Sequence, residues 1–264
     1  LLLEFIRCLF TRFLVYWTYM EDEYEVTIVY EDSALLVAHK PSQLPTVPLK
    51  DDEPDKPTLL SLLAKTHPEV LAIEGRNAWE GGVLHRLDTP TSGLVVVAKN
   101  TEAYNNLQAI QKADLFFKEY RAVSSGYFPV QTPGFPPYSY DDPYHCKGRA
   151  VVIGSLFRRW GNNRKEVRPV LSDSPKHLLE KTTGTWYMTT VWYNGSKKSG
   201  SEEFICRLSS GFKHQVRVHM AWSGWPLDGD ELYGGKPQKE FGLSAVAVQF
   251  PHPVTSKQLE IRLD

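Results

Sequence analysis

Short apolar runs separated by turns, with no regular alternation of strand and helix, set the strongest limit on how this chain folds. Glu25 to Tyr30 (EVTIVY) alternates polar and apolar residues, as a strand with one buried face does. Glu31-Asp32-Ser33 turns the chain, and Ala34 to His39 (ALLVAH) follows as a second strand ended by Lys40-Pro41-Ser42, so the pair reads as a hairpin. Gly93 to Lys99 (GLVVVAK) is a wholly apolar strand, and Lys118 to Val123 (KEYRAV) alternates again. Thr185 to Tyr193, Glu203 to Leu208, Leu243 to Phe250 and Gln258 to Leu263 also suit strands. Helical patterns are few. Thr58 caps a helix over Leu59 to Lys65, and Thr101-Glu102 opens another through about Ala113, with Ala103, Leu107 and Ile110 on one face. Residues 130–145 are rich in proline and aromatics and read as a loop. The predicted class is α+β: a mixed, mainly antiparallel central β-sheet with flanking helices and loops, rather than a doubly wound parallel fold.

The chain has 264 residues, 42% of them hydrophobic, enough for one large core. Residues 20–264 are expected to form a single domain. Residues 1–19 (LLLEFIRCLFTRFLVYWTY) read as an upstream extension or an accessory segment, with Met20 as the start. Glu4, Arg7 and Arg12 interrupt this apolar run, which argues against a membrane span or a signal core. The three cysteines, Cys8, Cys146 and Cys206, are scattered and form no CxxC pair, so a reducing cytoplasm is the expected compartment.

A net charge of −1 rules out a global basic excess. Lys147, Arg149, Arg158, Arg159, Arg164, Lys165 and Arg168 nevertheless crowd a stretch whose one acid is Glu166. On charge alone that stretch reads as a solvated loop. Phosphate binding needs only a local patch, so RNA stays open as a partner.

Polar residues are densest, within an apolar setting, from Gly82 to Leu94, where His85-Arg86-Leu87-Asp88 leads through Thr89-Pro90-Thr91-Ser92 into the VVVA strand. A carboxylate at such a turn either caps the turn or points into a cleft. Several segments together decide the matter. His85-Arg86-Leu87-Asp88 with Thr91-Ser92-Gly93-Leu94, Lys118-Glu119-Tyr120, and Gly211-Phe212-Lys213-His214-Gln215-Val216-Arg217-Val218-His219 occur in order. Lys40-Pro41-Ser42 and Leu44-Pro45-Thr46 precede them, and Pro226, Gly229-Asp230, Tyr233-Gly234-Gly235, His252-Pro253 and Thr255 follow. In this the chain resembles the RluA-type pseudouridine synthases from about Ile28 to Leu263. Gln43 stands where that family usually has Gly, and Phe212 where it usually has Arg.

The resemblance implies isomerisation of uridine in structured RNA, ribosomal or transfer, to its C-glycoside, without metal, nucleotide or redox cofactor. It implies Asp88 as the carboxylate beside the sugar, as nucleophile or as base for the 2′ proton; the sequence leaves both open. Arg217 would pair with Asp88 and keep it ionised. Tyr120 would stack on the extruded uracil and help move the C5 proton. Arg86 would fill the place of the flipped base, and His85, Thr91, Leu94, His214 and Gln215 are the further expected substrate-side residues. Leu94 reads equally as core beneath the site, and the histidines as structural hydrogen-bonders. Residues 126–174 are expected to contribute to RNA recognition, no S4-type RNA-binding domain is expected, and a monomer is the default. The alternatives are a non-catalytic RNA-binding or chaperone protein on the same fold, and a nucleoside or glycoside hydrolase. The latter needs a second carboxylate that no motif marks.

Overall fold

The computed structural model describes residues 17–21, 24–48, 56–77, 79–128 and 132–263. Its strands are β1 (Trp17–Glu21), β2 (Tyr24–Glu31), β3 (Leu35–Lys40), β4 (Ser92–Ala98), β5 (Phe117–Ser124), β6 (Val151–Trp160), β7 (Glu166–Val170), β8 (Tyr187–Ser196), β9 (Glu202–Leu208), β10 (Leu243–Pro251) and β11 (Gln258–Arg262). They join in the order β1-β2-β3-β4-β10-β5-β9-β8-β6-β7, with β11 also on β10. Helices are α1 (Leu59–Ala64), α2 (Thr101–Lys112), α3 (Lys176–Leu179) and α4 (Gln215–Trp222). The expected α+β class with a mainly antiparallel mixed sheet is what forms.

One parallel contact joins the two antiparallel halves. Ser92 and Gly93 of β4 lie beside Ser244 and Ala245 of β10. Gly93 has φ 120°, and a Cβ there would fall 2.2 Å from the Ala245 carbonyl oxygen, so only glycine allows the halves to close. On its other edge, β10 pairs Ala245 with Tyr120 of β5. The Asp88 turn and Tyr120 therefore flank the same two-residue seam.

Period-two alternation sorts the core onto both sheet faces. Along β4, Val95 and Val97 pack with α1, α4, Phe157, Val191 and Phe204. Leu94 and Val96 pack with Phe116, Phe250 and the α2 residues Ala103, Tyr104 and Leu107. Burying a side chain such as Leu107 stabilises by about 1.5–3 kcal/mol. Thr58 caps α1 in a reciprocal box with Ser61. The cap of α2 is Asn100, one residue before the expected start, with its side chain accepting from Ala103 N at 2.8 Å.

One expectation is corrected. The basic stretch is not a solvated loop: it is the β6–β7 hairpin, held because Val151, Ile153, Phe157 and Val167 are buried beneath its charges. The segment from Gln215 to Trp222 is a helix buried along its whole length. Strand β1 runs through Met20 and pairs Trp17 to Glu21 with Ile28 to Tyr24; the residues before Trp17 lie outside the described residues. The aromatic loop has no regular structure from Thr132 to His145 and docks on α4, with Tyr138 and Tyr140 edge-on to Trp222 at 5.5 and 5.7 Å. Among the described residues no helix is long and apolar enough to cross a membrane.

Candidate active site

The Asp88 turn is stapled from below by the segment after β3. Lys40 is completely buried, and its Nζ donates to Pro41 O at 2.9 Å, Leu44 O at 2.7 Å and Thr89 O at 3.2 Å. Ser42 Oγ donates to Pro90 O at 2.6 Å. Thr46 Oγ1 donates to Leu87 O at 3.0 Å and accepts from Leu87 N at 3.1 Å. Asp88 O itself accepts from Thr91 N, closing the turn. The carbonyls of Leu87, Asp88, Thr89 and Pro90 and the N–H of Leu87 thus have partners, which fixes where the Asp88 carboxylate emerges. Burial pushes the Lys40 ammonium down to about 7, and the charge of Asp88 works against that shift. Gln43, in the position where glycine is usual, has φ 66°, a region that glycine occupies without steric cost.

Helix α4 brings the arginine. Arg217 Nη1 donates to Asp88 Oδ2 at 3.1 Å. Its Nε and Nη2 grip Asp230 Oδ2 and Oδ1 at 2.8 and 2.7 Å. Burial pulls the Arg217 pKa down, but the Asp230 pair and then Asp88 outweigh it and raise it overall, so the guanidinium stays charged. Asp88 keeps a quarter of its side chain open, at 25%.

His214 starts α4 in the left-handed region, at φ 59°. Its Nδ1 lies 2.8 Å from Tyr233 Oη, and that hydroxyl accepts from Val167 N at 2.9 Å. A hydroxyl that accepts from Val167 has its proton free for Nδ1, which leaves Nε2 protonated and 3.7 Å from Asp88 Oδ2. Burial holds the His214 pKa down to about 4, with Arg217 and Lys213 adding to the shift and Asp88 opposing it. Tyr120 is buried on the same face, and burial, then the Asp88 charge, raise its pKa, so the phenol keeps its proton. A cleft of about 250 Å³ opens beside this group, lined by Gln43, Pro90, Arg217, Asp230, Leu232 and Phe241 among others.

Asp88, Arg217, Tyr120 and His214 are brought together. Arg86 lies close by and is half exposed, its Nη1 3.0 Å from Glu80 Oε1. The other expected substrate-side residues lie within the packing around the site. Leu94 is fully buried on the α2 side of the sheet. His85 accepts from Val96 N and lies against Phe116 at 5.4 Å. Gln215 is buried, accepting from Phe212 N and donating to Met188 O and Thr189 Oγ1. Thr91 is buried, with its N–H in the turn. These residues shape the site from behind. His219 is wholly structural, bonded to Ser155 Oγ at 3.1 Å and Thr189 Oγ1 at 2.8 Å. Phe212 stacks on Phe157 at 5.2 Å, so this position serves the core and not a phosphate. Lys40, Asp230 and Tyr233 lay within the quoted motifs without a role; no periodicity or spacing assigns one.

Known proteins place the chain. A family model described as RNA pseudouridylate synthase matches residues 34–222. The ribosomal large subunit pseudouridine synthase D of Haemophilus influenzae is 28% identical over 253 residues, covering 89% of this chain and 66% of that protein. The protein of the same name from Vibrio cholerae is 30% identical over 252 residues, with 89% and 66% covered. The chain thus spans somewhat under two thirds of the length of these relatives. Human RNA Pseudouridylate Synthase Domain Containing 1 shares the fold, with TM-score 0.63 at 20% identity over 93% of this chain and 86% of that one. Human RNA Pseudouridylate Synthase Domain Containing 4 gives TM-score 0.58 at 17% identity over 90% and 87%. The family match runs over the turn of Asp88, the strand of Tyr120 and the helix of Arg217, and by it the chain belongs to the RNA pseudouridylate synthase family.

Proposed function

We propose that this protein converts uridine to pseudouridine in structured RNA, with Asp88 as the catalytic carboxylate. The observation that carries the reading is the 3.1 Å bond from Arg217 to Asp88, at the edge of an open cleft and on the face that holds Tyr120. The reaction breaks N1–C1′, with the electron pair leaving on uracil, turns the base, and joins C5 to C1′. C5 then loses its proton and N1 regains one, so nothing is consumed. Charge that develops on the sugar is met by an anion whose ionised form Arg217 stabilises. Nucleophilic attack at C1′ and removal of the 2′ proton both begin from this carboxylate. A neutral phenol at Tyr120 serves as donor to, or stacking partner for, the released base.

The names of the relatives make large-subunit ribosomal RNA the first substrate to try. The decisive experiment compares wild type with Asp88→Asn and Asp88→Ala on that RNA, measuring pseudouridine formed and RNA bound. Both variants are expected to lose turnover by at least about a thousandfold while binding is kept. Turnover by both at the wild-type rate would remove Asp88 from the chemistry.

A further inference from the structure

The β6–β7 hairpin carries cations that its own fold leaves unsatisfied. Arg158 and Arg168 stand directly opposite each other in the ladder. Like charges so placed share one face and repel. Trp160 lies against both guanidiniums, their carbons 4.4 and 4.3 Å from its ring centroid. Arg158 is only 6% exposed, yet its Nη1 has no hydrogen-bond partner, and neither has the buried Nε of Arg168. Glu166 approaches Arg168 at 3.6 Å; among the described residues no acid pairs with Arg158. Each empty buried donor costs about 1–3 kcal/mol, and such groups in folded proteins call for a ligand or another explanation.

The hairpin is also tied to the proposed active site. Lys213 Nζ, which feels the charge of Asp88, reaches Arg164 O at 3.5 Å. Val167, the neighbour of Arg168, is the residue whose N–H holds the Tyr233 hydroxyl behind His214. Arg164 and Lys165 stand exposed at the hairpin tip.

We propose that the β6–β7 hairpin is a clamp for the RNA backbone, in which Arg158 and Arg168 share one phosphate beside Trp160 and the tip residues Arg164 and Lys165 meet a neighbouring one. A phosphate offers oxygens to two adjacent guanidiniums at once and cancels their repulsion. The hairpin meets the site through Lys213 and Tyr233, so an RNA strand whose uridine lies at Asp88 has the hairpin within reach of its linked phosphates. The clamp rests on the RNA reading above.

The test uses the full chain, a fluorescein-labelled uridine-rich stem-loop RNA and anisotropy over a series of potassium chloride concentrations. Arg158→Gln and Arg168→Gln are each expected to weaken binding on the order of five-fold near physiological salt and to flatten the log–log salt slope by about 0.7–0.9. Lys112→Gln, on α2, changes neither. Without RNA, Arg158→Gln is expected to melt no lower than wild type, because it removes an uncompensated buried cation; a purely structural arginine would melt lower when replaced. Wild-type affinity and slope in both hairpin variants would overturn the clamp while leaving the Asp88 reading to its own turnover assay. Binding of polyglutamate in place of the stem-loop would overturn the clamp in favour of an acidic protein partner. If wild type neither binds nor modifies any RNA, both readings fall together.

Discussion

Arg217 gives Asp88 a single hydrogen bond and gives Asp230 two. The division matters because a guanidinium fork that gripped Asp88 bidentately would occupy both carboxylate oxygens. With the fork spent on buried Asp230, Arg217 is pinned from behind, and Asp88 receives charge stabilisation through one oxygen only. Its other oxygen, Oδ1, is not the one that Arg217 and His214 approach, which on the proposed reading leaves it for the sugar. On that reading Asp230 is the residue that positions Arg217 for Asp88.

Replacing Asp230 with Asn tests that division. The amide keeps the shape and one acceptor but loses the charge, so Arg217 is expected to turn its fork toward Asp88. Losing a charge-assisted bond of about 1.5–3 kcal/mol should lower single-turnover pseudouridine formation on the order of ten- to a hundredfold. RNA affinity is expected to stay within about twofold, since Asp230 is buried and its carboxylate is held by Arg217 at the back of the cleft. Wild-type turnover in Asp230→Asn would show that the pinning has no catalytic consequence.

Lys40 is a second positioning residue. Replaced by Met, it leaves the carbonyls of Pro41, Leu44 and Thr89 without their shared donor. Stability in urea denaturation is expected to fall on the order of 3 kcal/mol. Turnover should fall as well, with KM little changed, because the turn that aims Asp88 is loosened while the RNA surface is intact. A stability loss with unchanged kcat would confine Lys40 to the fold.

The sheet was largely legible because burial on alternate positions writes itself into sequences such as EVTIVY and KEYRAV. The β6–β7 hairpin was not, since Arg158, Arg159 and Arg168 sit among its apolar residues and hide the period. Nor was α4: all its residues are buried, including Gln215, Arg217 and His219, so it has no polar face to reveal a helical repeat. Asp88 and Arg217 lie 129 residues apart, a contact that no local pattern encodes; only the resemblance joined them. The resemblance also pointed to His85, Leu94 and Gln215, whose side chains pack behind the site. Sequence neighbours of such a residue point away from it when the backbone is extended or helical, and Leu94 and Gln215 are buried.

His214 supplies a pH signature that separates its burial from any role in binding. Its folded pKa of about 4 lies below the unperturbed 6.5 because burial disfavours the charged ring. As pH falls, the unfolded chain takes up this proton near 6.5, while the native protein refuses it until about 4. Stability from this group is therefore complete above 6.5 and is lost as pH falls from 6.5 to about 4. His214→Gln is expected to flatten the stability–pH slope in that window by up to about 1.4 kcal/mol per pH unit. A residual slope will persist from His219, which burial holds down to about 3. Tyr233→Phe removes both the acceptor for Val167 N–H and the donor to Nδ1, and should cost about 1–3 kcal/mol at neutral pH. Urea denaturation of the three proteins across the window is the check. An unchanged slope in His214→Gln would mean that the ring already titrates normally in the native state, and the neutral Nε2–H facing Asp88 would have to be abandoned.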